Sequence, residues 1–195
     1  MAESRTTRRI DDLGELKAFA HPLRLKLYRA LVVARTATAS QLADQVDEAV
    51  SLVSYHLRKL AALGLIEEAE PQSGDGRERW WQVAYQQLNV TTSAHDAPET
   101  AAARLALTRV AFRQQREMHD AYLDVQSTWE PQWQEAAIGS EYLTEMTAAE
   151  LRELSQEMHA LIQKWQTRGR AALEAGDTEG REHVALHLYG FPFRT

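Results

Sequence analysis

Between Thr38 and Tyr85 the chain sets two short apolar-periodic segments, a glycine stop and a turn between two strand-like runs, an order that few folds accept. Thr38 followed three residues later by Gln41 is a capping box, each side chain able to satisfy a backbone donor that a helix start leaves unpaired. A helix over Ala39 to Val46 follows, with Leu42, Ala43 and Val46 at helical spacing. Asp47-Glu48 interrupts the apolar run, and a second helix is expected from about Ala49 to Leu63 with Val53, Leu57 and Leu60 in one buried stripe. Gly64 ends it, because the residue after a helix often turns left-handed, a conformation glycine adopts without steric cost. Leu65 to Glu70 and Arg77 to Tyr85 then flank a turn rich in Pro, Ser, Gly and Asp, the pattern of a hairpin. The predicted unit is a helix-turn-helix with a β-hairpin wing.

The outer face of the second helix carries Ser51, Ser54, Tyr55, Arg58 and Lys59. These hydrogen-bonding and cationic side chains have little reason to cluster unless they meet a polar surface, and the groove of double-stranded DNA is one. Thr38 and Gln41, at the start of the preceding helix, join the same candidate contact set. Arg77 and Arg79, two residues apart, point to one side of an extended strand. They either reach phosphates or the minor groove, or pair with Glu67, Glu68, Glu70 or Glu78.

Three stretches, LKAFAHPLRLKLYRAL, SQLADQVDEAVSLVSYHLRKLAALGLIEEAE and GDGRERWWQVAY, resemble the bacterial ArsR-type winged-helix transcriptional regulators over about residues 10–86. The resemblance implies a first helix at about Asp11 to Ala20 and a second opened by His21-Pro22-Leu23-Arg24. It places Ser54-Tyr55-His56-Leu57 in the recognition helix and maps DNA contacts onto Ser51, Ser54, Tyr55, Arg58 and Lys59. It also implies a homodimer acting as a repressor. His56, beside the apolar stripe, is expected to be a packing residue.

One departure from the family pattern is decisive: the chain has no cysteine. Metal or redox sensing through thiolates is therefore excluded by composition. Histidine and carboxylate groups remain, namely His119 with Asp120, and Glu182 with His183 and His187. His183 and His187 share a side on either a helix or a strand, but two ligands at one spacing do not make a site, so neither metal nor cofactor is expected.

The formal net charge of −6 argues at first against a polyanionic partner. Its distribution weakens the objection: residues 1–90 hold 12 basic and 12 acidic side chains, residues 91–195 hold 10 and 16. Screening over about 8 Å confines the acidic half's repulsion to its own neighbourhood. No apolar run approaches the roughly 20 residues of a membrane helix, and the start MAESRTTRRI lacks the apolar core of a secretory signal, so a cytoplasmic location is expected. Arg5, Arg8 and Arg9 form either a solvated tail or an arm adding phosphate contacts.

The expected organisation is a DNA-binding domain over residues 1–88, a polar linker over 89–98 and a dimerisation and effector region over 99–195. From Glu99 to Trp129 the chain lacks glycine and proline and should form a long helix. Leu105, Phe112, His119, Tyr122 and Trp129 would make its seam with a second copy or with the rest of the same chain. Thr147 and Glu150 form a second capping box, opening a helix that Gly176 stops. Ala137 to Leu143 and His183 to Tyr189 read as strands, giving a mostly α fold with a small α+β carboxy-terminal region. Trp129, Trp133, Tyr142 and Trp165 are either the wall of a site for an unknown small-molecule effector or plain core.

Enzyme patterns are missing: no glycine-rich phosphate loop, no HExxH, no nucleophile elbow and no thiol. The competing reading is a winged helix that binds another protein, against which the polar, basic outer face argues.

Overall fold

The computed structural model describes residues 5–72, 78–90 and 95–194; of residues 5–7 and 86–89 only the backbone is described. Two compact units divide the chain, Met1–Gln126 and Ser127–Thr195.

In the first unit the elements run β1 (Arg5–Arg9), α1 (Leu13–Phe19), α2 (Pro22–Ala34), β2 (Thr36–Thr38), α3 (Ala39–Val46), α4 (Val50–Ala61), β3 (Ile66–Ala69), β4 (Trp80–Val83), β5 (Tyr85–Asn89) and α5 (Pro98–Val125). This is a winged helix-turn-helix: helices α1 to α5 all contribute to one apolar core, and an antiparallel sheet in the order β2-β4-β3 closes one side. Ala37 pairs with Trp81 and Glu68 with the same residue from the other side, so β4 is the central strand. The third strand, β2, is short and was not legible in the sequence, because its pairing partner lies more than forty positions away.

Local chemistry places the helix ends. The Asp12 carboxylate accepts from the backbone of Gly14 and Glu15 and opens α1. Pro22 occupies the first turn of α2, where its missing N–H costs nothing. Thr38 Oγ1 accepts from the Gln41 N–H at 3.3 Å while Gln41 Oε1 accepts from the Thr38 N–H at 2.9 Å, the full capping box at α3. Asp47, left-handed at φ 56°, ends α3, and Gly64 at φ 65° turns the chain from α4 into the wing. Ile10, Leu16, Phe19, Leu27, Leu31, Leu42, Val53, Leu57 and Leu60 fill the centre.

The amino terminus forms β1, paired in parallel with β5. Arg8 is ion-paired with the buried Glu15 and donates to Tyr85 Oη at 2.8 Å. Tyr28, also buried, donates to the Tyr85 carbonyl at 2.5 Å. Helix α5 lays Ala103, Leu107 and Val110 on the core and leaves Leu105 and Phe112, both 51% exposed, outward. Its buried cation Arg104 grips Asp96 through Nε (2.7 Å) and Nη2 (3.3 Å) and donates to the Ile10 carbonyl at 3.1 Å.

The second unit holds a short helix, α6 (Pro131–Ala136), and a long one, α7 (Ala148–Glu174). Thr147 and Glu150 form the expected capping box at α7. The strands expected at Ala137 to Leu143 and His183 to Tyr189 are not formed: both segments run as irregular chain, and the carboxy-terminal region is helical instead of α+β. The alternation of Val184, Leu186 and Leu188 serves no half-buried sheet, since all three are exposed and no described strand pairs with them.

Arg104→Met separates the mostly buried Asp96 from its countercharge and releases the Ile10 carbonyl. A loss of about 3 to 5 kcal/mol of unfolding free energy is expected, read from urea titrations of both proteins. Thr38→Ala, which removes only the cap, should cost about 1 kcal/mol in the same assay.

Candidate nucleic-acid interface

Helix α4 divides cleanly by face. Val53, Leu57 and Leu60 are wholly buried, His56 is nearly so, and the side chains between them turn outward. Ser51, Arg58 and Lys59 are exposed, Tyr55 is 47% exposed, and Ser54 is half-buried beside them. The structure therefore brings all five proposed contacts onto one outer face. Lys59 Nζ stands 5.5 Å from the centre of the Tyr55 ring, a cation–π distance that holds both side chains near the same surface.

The wing borders this face. Arg58 and Arg79 line a shallow groove of about 490 Å³ together with Gly64, Glu67, Glu68 and Trp81. Arg79 lies over the Trp81 ring at 5.6 Å and pairs with Glu68 at 3.1 Å. Both partners of that ion pair are more than half exposed, so the pair is weak and a phosphate oxygen can compete for the guanidinium. Arg77 lies outside the described residues.

Two other expected contacts separate. Thr38 is buried and its hydroxyl is spent on the cap of α3, so its side chain is a structural element and not a contact. Gln41 is exposed, although its carbonyl oxygen is committed to the same cap.

The two histidine motifs meet behind the outer face. His21, at the start of α2, lies with its ring centre 4.5 Å from that of His56 in α4, at 44° between planes. Nδ1 of each ring is buried and, among the described residues, lacks a hydrogen-bond partner. Arg24, one turn beyond His21, donates to the carbonyls of Ala18 (2.6 Å) and Lys17 (3.1 Å) and so closes the end of α1. Burial holds both imidazoles below their ordinary range, the cation of Arg24 adds to this, and for His56 so does His21, while Glu48 opposes it. His56 is a packing residue in this arrangement.

In the second unit, Trp129 and Trp133 approach edge to face at 6.4 Å. Tyr142 and Trp165 are 85% and 58% exposed, which does not fit the wall of an enclosed effector pocket. His183 and His187 lie on irregular chain, and among the described residues no three histidine or carboxylate side chains gather as a metal site. Among the described residues no helix is long and apolar enough to cross a membrane.

A family model described as a helix-turn-helix domain matches residues 19–69, which run from the end of α1 through β3. No curated protein matches the chain. Among solved structures, the apo form of a doubly substituted ZitR from Lactococcus lactis is similar at 13% identity, covering 72% of this chain and 82% of its own, with a TM-score of 0.29. A crystal structure of Lactococcus lactis ZitR, described as a zinc-responsive MarR family member, is similar at 14% identity, covering 76% of this chain and 74% of its own, with a TM-score of 0.29. Residues 19–69 are thus a helix-turn-helix domain, and neither comparison names the ArsR type.

Both histidines titrate at lower pH in the folded chain than their ordinary value of 6.5. As pH falls below about 6.5 the unfolded chain takes up protons that the folded one refuses, so this contribution is complete above that value and is lost below it. Thermal midpoints taken from about pH 8 to about pH 5 should fall more steeply for the parent than for a His21→Leu/His56→Leu variant. Parallel curves would remove the pair from the pH response.

Proposed function

We propose that the chain is a sequence-specific DNA-binding transcriptional regulator, acting as a homodimer and most simply as a repressor that occupies an inverted repeat. The observation that carries this reading is the outer face of α4, where Ser51, Tyr55, Arg58 and Lys59 stand exposed beside the half-buried Ser54 on a helix whose other face is locked into the core. The helix-turn-helix match over residues 19–69 supports the same reading.

Ser51, Ser54 and Tyr55 approach base edges in the major groove, and Arg58 and Lys59 engage bases or phosphates. The wing lies alongside, with Arg79 at the backbone or minor groove. A twofold dimer sets two such helices against half-sites about one helical turn apart, which is why an inverted repeat is the expected operator. The neutral charge balance of residues 1–90 implies few phosphate contacts and a moderate affinity with a shallow salt slope. The ArsR-type assignment rests on the His-Pro-Leu-Arg and Ser-Tyr-His-Leu motifs. A repressor needs only to exclude polymerase from its site, and effector control would require a ligand that binds one dimer arrangement more tightly than the other.

The test is selection of random duplex DNA by the purified protein, followed by titration of the enriched site with parent and Arg58→Ala. A guanine fork predicts a loss of about 1 to 3 kcal/mol confined to the enriched sequence; a phosphate contact predicts a smaller loss on every sequence and a reduced salt slope. Equal binding by both proteins removes Arg58 from the interface. No enrichment even at low salt would favour a protein partner instead, to which the exposed Val50 and Leu52 of α4 would offer an apolar centre.

A further inference from the structure

Helix α7 carries a second periodicity beside its cap. Leu151, Leu154, Met158, Leu161, Trp165, Arg168 and Ala172 succeed one another at alternating steps of three and four, the spacing of the a and d positions of a coiled coil. Leu151 lies next to Gly190 of the carboxy-terminal tail. From Leu154 onward the seam is open: Leu161 is 56% exposed, and Leu154, Met158 and Trp165 are exposed with it. A stripe of this length and regularity in water is a surface awaiting a partner helix.

The charges flanking the seam identify that helix. Glu157 and Lys164 occupy successive g positions and are both exposed; among the described residues neither forms an ion pair. Two turns apart on one helix, about 10.5 Å along the axis, they cannot reach each other. In a parallel self-pairing each g position faces the e position of the following heptad, so Glu157 would meet Ile162 and Lys164 would meet Gly169. That arrangement would also stack Trp165 on its own copy and oppose Arg168 to Arg168. In an antiparallel self-pairing g faces g, and Glu157 meets the partner's Lys164 while Lys164 meets the partner's Glu157. The layers then set Leu154 against the partner's Trp165, Met158 against the partner's Leu161 and, at each end, Arg168 against the partner's Leu151, so that neither Trp165 nor Arg168 meets its own copy. The flanking charges are complementary in the antiparallel direction only.

We propose that α7 is a self-association surface, an antiparallel two-helix seam formed with α7 of a second copy of this chain and set in register by the reciprocal Glu157–Lys164 pairs. This names a surface for the dimer assumed above, and it does not depend on DNA binding. The open seam is four layers long, so it orients two copies that other contacts also hold.

Sedimentation equilibrium of the full-length chain without DNA tests it. Glu157→Lys alone or Lys164→Glu alone sets like charges against each other at both ends of the seam and should weaken dimerisation about tenfold, whereas the combined exchange should restore the parent value. Because the chain lacks cysteine, orientation can be read separately. A mixture of Met158→Cys and Leu161→Cys chains should oxidise to the mixed disulfide, while each variant alone stays largely unlinked. A dimer unmoved by either single exchange would overturn the α7 seam and leave the dimeric regulator standing. A chain that remains monomeric would overturn the seam and the dimer together, leaving DNA binding to the duplex selection. Linkage of Met158→Cys chains to themselves would overturn the antiparallel register.

Discussion

Everything about the candidate interface depends on the burial of one face of α4. Val53, Leu57 and Leu60 lie wholly inside the core, and withdrawing each such side chain from water contributes on the order of 1.5 to 3 kcal/mol. Rotating the helix by one residue, about 100°, would expose that stripe and bury Arg58 or Lys59 in its place. The outward aim of the five polar side chains is therefore a consequence of core packing. No contact on the outer face is needed to fix it, which is how a binding surface can be rigid before its partner arrives.

The short motifs have a mechanical meaning in the same terms. His21-Pro22-Leu23-Arg24 makes a corner: proline starts α2, and Arg24 closes α1 by donating to its last carbonyls. That corner presses His21 onto His56, which is the buried neighbour of Tyr55. Two motifs about thirty positions apart in the sequence are thus one packing contact in space. Lys26 reinforces the arrangement from α2 by donating to the Val46 carbonyl at the end of α3, at 2.9 Å.

Much of this was legible in the sequence because its signals are local. The Thr38–Gln41 and Thr147–Glu150 boxes, the left-handed turn at Gly64 and the stripe Val53, Leu57, Leu60 each involve residues a few positions apart, and each is found where the pattern put it. What escaped depends on distant partners. β2 exists only because Trp80, Trp81 and Gln82 pair with it, and β1 only because β5 lies beside it. Arg104 carries no local signal that sets it apart from the other cations of a long helix, and only the fold brings Asp96 and the Ile10 carbonyl to it. The reverse error occurred at His183 to Tyr189, where alternation suggested a strand but no neighbour supplies the ladder that would make it one. Thr38 was legible as a cap, and its burial removes it from the contacts proposed alongside.

The absence of cysteine offers the most direct check on the central claim, that the outer face of α4 enters DNA in two symmetric copies. A single thiol introduced by Ser54→Cys can carry an iron chelate that cleaves nearby DNA, on a duplex enriched by the protein itself. Two clusters of cuts centred about one helical turn apart and placed symmetrically about the middle of the site are the expected pattern. A single cluster would contradict the dimer, and uncut DNA with full occupancy of the site would show that α4 does not face the duplex.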